Sequence, residues 1–133
     1  MKIRNILLTV VAILVAIDYT LTYIIVKSGL GVEANPFTAR FFTRDVDIST
    51  VVTLYVMSIS TAYTMLKVLE LVYTYLVRLL KVKSSKFIEY VRLFMYIQFL
   101  GTISVLEAIT VVNNLMVYLG LGQLHFLIHL ISG

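Results

Sequence analysis

The chain has 133 residues, 60% of them hydrophobic and 14% charged, with a formal net charge of +4 and a mean hydropathy of +0.98. A water-soluble domain this small cannot hide so much apolar surface, because its surface-to-volume ratio is too high, and soluble domains carry about 25% charged residues. Disorder, nucleic-acid binding and a soluble catalytic domain are therefore excluded, and the absence of cysteine removes disulfides, thiolate metal sites and cysteine nucleophiles.

The expected fold is an all-α integral membrane bundle in one domain, residues 1–133, in the cell membrane. It has three transmembrane helices, at about 6–26, 48–80 and 87–119, and a short interfacial or re-entrant tail helix at about 123–132. The first apolar run, 6–26, follows Lys2 and Arg4 and precedes Lys27. At 1.5 Å per residue it measures about 31 Å, matching the hydrocarbon core of a bilayer. A cleaved signal peptide also begins basic and then apolar. This run exceeds the usual apolar region of about 7–15 residues, however, and no clear Ala-x-Ala site follows it. It reads as an uncleaved transmembrane helix.

The outer loop, 28–47, holds the only proline, Pro36, with Gly29, Gly31 and the charges Glu33, Arg40, Arg44, Asp45 and Asp47. Asp47 or Ser49 is suited to cap the next helix, because a short oxygen side chain accepts from free first-turn N–H groups. Residues 48–80 contain neither glycine nor proline, and 87–119 are interrupted only by Gly101. Each run would form a helix about 50 Å long, more than a membrane requires, so it must tilt or project beyond the lipid. Between them lies a basic turn with Lys81, Lys83 and Lys86. Gly120 and Gly122 break the chain before the tail, which is too short to span. The positive-inside rule places the amino terminus and the basic turn in the cytoplasm and the carboxy terminus outside.

Ionisable groups inside a bilayer cost about 2.5–3.5 kcal/mol on insertion scales and point to function or to interhelix pairing. Asp18, Lys67, Glu70 and Glu107 are such groups. In the second helix Ser60, Thr64, Lys67, Glu70, Thr74 and Arg78 recur every three or four positions as one polar stripe. Asp18 and Thr22 share a face of the first helix; Glu107, Thr110 and Asn114 share one of the third, with Asn113 to its side. Lipid cannot satisfy these groups, so the polar sides should turn inward. Counted from the outer ends, Asp18 lies about 12 Å deep, Asn113 and Asn114 about 8–9 Å, Glu107 about 18 Å and Lys67 about 28 Å. Two clusters follow. The outer one contains Asp18, Thr22, Asn113 and Asn114 with Glu107 at its floor. The inner one contains Lys67 and Glu70, an (i, i+3) pair, which Glu107 joins only if the helices tilt or shift. Such groups either serve a site or simply knit the bundle, with Lys67 snorkelling to the inner headgroups.

Asp18-Tyr-Thr-Leu-Thr22 followed by Gly31 and Glu33-Ala-Asn35-Pro36 resembles the signature of a small prokaryotic membrane-protein family, a domain of unknown function with about three membrane helices. The resemblance extends to a lysine inside the second helix, here Lys67, and an asparagine late in the third, here Asn113 or Asn114. It covers most of the chain to about residue 118 and implies the three-helix fold, marking Asp18, Glu33, Asn35, Pro36 and Lys67. It implies no activity. The chain departs from the family in its longer second and third helices and its tail. Pro36 itself sets an extended or turn geometry at Asn35, whose side chain suits an Asx-turn. Glu33 would then stand at the outer mouth of the bundle, as a ligand gate or as part of a rigid cap.

His125 and His129, four apart on the tail, have a spacing used in metal and haem sites. Two histidines alone do not hold most catalytic metals, and an amphipathic interfacial tail also accounts for them. Nine tyrosines and no tryptophan form an interface belt. Ala12-x-x-x-Ala16 and Ser58-x-x-x-Ala62 permit close helix approach. No phosphate-binding loop, Gly-x-Ser-x-Gly or His-Glu-x-x-His motif occurs, so neither a cofactor nor a catalytic residue is expected. The expected partners are the lipid bilayer and other membrane subunits or further copies of the chain, with no nucleic acid. The expected role is a structural or accessory subunit or a homo-oligomer. The alternatives are a small ion or proton transporter or channel using the intramembrane Asp, Lys and Glu residues, and an intramembrane metal or redox enzyme.

Overall fold

A computed structural model of the chain describes residues 2–33 and 38–121. Among the described residues every regular element is helical, and three helices are long and apolar enough to cross a membrane: α1 (Lys2–Ser28), α2 (Ile48–Leu79) and α3 (Ser85–Tyr118). The expected fourth helix at 123–132 lies outside the described residues, as do Asn35, Pro36, His125 and His129. Relative to the sequence expectation, α1 begins four residues earlier, at Lys2 instead of residue 6. That extra turn puts Arg4 on the helix, with consequences for the inner cluster.

The helix ends follow from local chemistry. Asp47 is the N-cap of α2, with extended backbone (φ −97°, ψ 163°), and its Oδ1 accepts from the Thr50 N–H at 2.7 Å and from the Ser49 hydroxyl at 2.8 Å. Ser84 caps α3 by accepting from the Phe87 N–H at 3.3 Å. All three helices end in the same way. The residue past the end turns left-handed, and the next N–H bonds five residues back: Leu30 to Ile25, Val82 to Val77, Leu121 to Met116. Gly29 (φ 73°) and Gly120 (φ 71°) occupy two of those left-handed positions at little cost, but the third is Lys81 (φ 49°).

α3 is not uniformly α-helical. It passes through a π-helical turn at Ile97–Gly101 before resuming at Thr102. A π turn accommodates one more residue than an α turn, so it rotates the two halves of the helix relative to each other. The sequence marks this place only by Gly101.

α1 is the central helix. Its buried residues Val11, Val15, Asp18, Thr22, Ile25 and Val26 recur at three- and four-residue steps, a single seam. With the end that carries the 28–47 loop labelled outer and the end that carries the turn at 80–84 labelled inner, α1 packs most extensively against the outer half of α3 and less against α2, whereas α2 meets α3 mainly near the turn that joins them. There the Tyr73 hydroxyl donates to the Ile88 carbonyl. Two small apolar cores result. At the outer end Val26, Phe42, Val46 and Val51 pack together, with Tyr19 set edge-on against Phe42 at 5.7 Å, so the loop folds back over the ends of α1 and α2. At the inner end Leu66 and Leu100, both fully buried, pack with Tyr96, Leu7 and Leu8.

Candidate functional site

Of the polar residues singled out by sequence, Asp18, Thr22 and Asn114 meet in one cluster and Lys67 and Glu70 in another, at opposite ends of α1. The inner one centres on Glu70, whose carboxylate receives a donor from each helix. Arg4 Nη1 of α1 donates to Oε1 at 3.2 Å, the Tyr96 hydroxyl of α3 donates to the same oxygen at 2.8 Å, and Lys67 Nζ of α2 donates to Oε2 at 3.0 Å. The Lys67–Glu70 pair has the expected (i, i+3) spacing. Arg4 and Tyr96 are additions. With α1 taken to begin at residue 6, Arg4 stands outside the helix, and Tyr96 reads as an interface tyrosine. The longer α1 and the high density of cations near the inner ends are the signals that could have found this three-helix knot.

Glu70 and Arg4 have side chains only 21% and 23% exposed, whereas Lys67 is 43% exposed. The Lys67 ammonium lies 5.5 Å from the Tyr63 ring centre, a cation–π contact that keeps its stem along α2. Thr74, also on the α2 stripe, donates to the Glu70 backbone carbonyl and not to the knot.

The outer cluster is smaller and joins two helices. Asn114 Nδ2 of α3 donates to Asp18 Oδ1 at 2.7 Å and approaches Thr22 Oγ1 at 3.0 Å, both on α1. Asp18 and Thr22 are buried, at 8% and 4% exposure. Glu107 and Glu33 lie within electrostatic reach of Asp18. Glu107 is half-buried and makes no hydrogen bond among the described residues; it belongs to the surroundings of Asp18 and does not reach Glu70. Asn113, beside Asn114, is half-buried and also engaged in a contact, and Glu33 is half-buried past the end of α1. α2 touches α1 near this level through a different pair, the Tyr19 and Ser58 hydroxyls at 2.7 Å.

These arrangements hold helices together through oriented hydrogen bonds, and the outer one also buries a carboxyl group. Among the described residues no group of three His, Asp or Glu side chains could hold a metal ion. The architecture is thus a three-helix assembly of membrane-spanning length, clipped at both ends by polar side chains. No family model, curated protein or solved structure matches the chain.

Proposed function

We propose that the chain is a small, non-catalytic integral membrane protein that acts by association, as a structural or accessory subunit of a larger membrane complex or as a homo-oligomer. The observation that carries this reading is the outer-facing side of α2. Ser60 and Thr64 remain exposed at about 18–24 Å along the helix, with half-buried Lys67 a turn beyond, and exposed Tyr63 and Val56 flank them. Acyl chains offer these polar groups nothing, and a protein helix would. In this reading the amino terminus and the basic turn are cytoplasmic, the loop and carboxy terminus are outside, and the resemblance through Asp18, Glu33 and Lys67 fits a shared three-helix scaffold.

Native mass measurement in mild detergent, backed by crosslinking in bilayers, tests it. The expected result is a discrete oligomer or a co-purifying complex that Ser60→Leu/Thr64→Leu weakens. A monodisperse lone monomer in both media would overturn the proposal.

A second reading, a small ion or proton transporter or channel, draws on the burial of Asp18 with two further carboxyl groups nearby. Liposome flux that disappears in Glu107→Gln supports it, and no flux under proton, sodium and potassium gradients counts against it.

A further inference from the structure

Beside the inner cluster, an open cleft of about 640 Å³ lies between the amino-terminal end of α1 and the first turns of α3. Its lining combines the cations Lys2, Arg4 and Arg92 with the acid Glu89 and the apolar side chains Ile88 and Leu93. The three cations are not equivalent. Arg4 is committed to Glu70 at 3.2 Å, so its charge is matched by a carboxylate inside the bundle. The Arg92 guanidinium sits 5.7 Å from the Tyr73 ring centre, a contact that steadies the side chain without neutralising it. Lys2 has no acidic partner within 4.0 Å among the described residues. Two positive charges therefore border a cleft with an apolar wall, at the end of the bundle that carries the basic turn.

We propose that this cleft binds the headgroup of an anionic phospholipid, with the phosphate between Lys2 and Arg92 and an acyl chain along Ile88 and Leu93. The physical argument is complementarity on two counts. A phosphodiester supplies the negative charge that Lys2 and Arg92 lack, and basic pockets between membrane helices take lipid headgroups for this reason. A free phosphate would satisfy the cations and leave the apolar wall wet, whereas a lipid satisfies both. Glu89 suits a headgroup that offers hydrogen-bond donors beyond the phosphate, as glycerol hydroxyls do. The site is formed within one chain, so it does not depend on the association proposed above.

The test is native mass spectrometry of the full chain, titrated with phosphatidylglycerol or phosphatidylcholine in the same detergent. The wild type should retain phosphatidylglycerol preferentially. Lys2→Gln and Arg92→Gln should each weaken that retention about fivefold, the effect expected of one basic group near an anionic lipid surface. Lys83→Gln removes the same charge from the neighbouring turn and should leave retention unchanged, which separates a defined site from general electrostatic attraction. Circular dichroism of each variant establishes that it is folded. Equal retention of the two lipids, or equal losses in Lys83→Gln and Lys2→Gln, would overturn the proposal. Displacement of the lipid by millimolar inorganic phosphate would also overturn it, by showing a site for a soluble anion.

Discussion

The two ends of this bundle are held by different chemistry. At the inner end one carboxylate, Glu70, accepts from Arg4, Lys67 and Tyr96 and so ties all three helices to one point. At the outer end Asp18 and Thr22 share one amide, Asn114, which joins α1 to α3 alone. α2 is attached there by the Tyr19–Ser58 hydroxyl pair and by the folded-back loop around Phe42 and Val46. The inner cluster carries formal charges of both signs, so removal of its centre strands the others. The outer cluster pairs a carboxyl group with neutral partners, and losing one partner strands less. The polar side chains thus tie all three helices at the inner end and leave α2 the less firmly tied helix at the outer end, where a cleft of about 400 Å³ opens between α1, α2 and Ile103 of α3.

Glu70→Ala breaks the comparison most severely. It leaves Arg4 and Lys67 without their carboxylate and the Tyr96 hydroxyl without its acceptor. Loss of one partner from a buried pair costs about 3–5 kcal/mol. Partial exposure of this pair reduces the expected loss to about 2–3 kcal/mol, measured by denaturant unfolding in detergent or bicelles. A loss under 0.5 kcal/mol would mean that the three-helix knot is not an anchor.

At the outer end, a double-mutant cycle over Asp18→Ala and Asn114→Ala should give a coupling of about 0.6–1.7 kcal/mol, from the average to the maximum for hydrogen bonds between membrane helices. A coupling larger than the effect of Glu70→Ala would reverse the proposed ranking of the two ends.

The turns that close the helices offer a smaller test. Lys81 adopts the left-handed conformation that Gly29 and Gly120 supply elsewhere. A side chain there costs about 1–2 kcal/mol, part of which glycine returns through a more flexible unfolded chain. Lys81→Gly should therefore stabilise the protein by about 0.5–1 kcal/mol, read in the same unfolding assay. Gly29→Ala should act in the opposite direction, since its Cβ would meet Arg44 Nη2 at 3.3 Å and adopt a left-handed backbone.

The smallest effect is local. Hydrogen bonds from the Thr50 N–H and the Ser49 hydroxyl hold the Asp47 carboxyl below the ordinary aspartate value. A lowered folded-state value means that this cap contributes fully above the unfolded pKa, near 3.9, and is lost as pH falls through the lower folded value. The Thr50 amide resonance should accordingly titrate with a midpoint below that of an unstructured aspartate. Asp47→Asn should remove the transition while retaining the cap.

Much of the local structure was legible in the chain. A helix needs its own sequence to supply apolar length, caps and stops, and Asp47, Ser84, Gly29 and Gly120 are present where α2 and α3 begin and α1 and α3 end. The alternation of Val11, Val15, Asp18 and Thr22 likewise displays the face of α1 that becomes buried. The membership of the polar clusters was only partly legible. Lys67 with Glu70 is visible because both lie on one helix, and Asp18 with Asn114 because their depths agree. Arg4 was hidden by a helix start placed one turn late. Glu107 had two candidate clusters at the sequence level, because depth alone does not say which way a helix faces.

Sequence by itself determined that this chain makes long apolar helices, where each begins and ends to within about a turn, and that their polar residues require company. Those outcomes rest on interactions within a few residues of one another, on bond geometry and on the cost of leaving polar groups in lipid. Only the tertiary structure decided that α1 stands at the centre, that Glu70 gathers all three helices, and that the π turn at Ile97–Gly101 sets the two halves of α3 on different faces. Rotation and tilt depend on many weak contacts summed over whole helices. A change of one residue in a turn redirects every side chain beyond it.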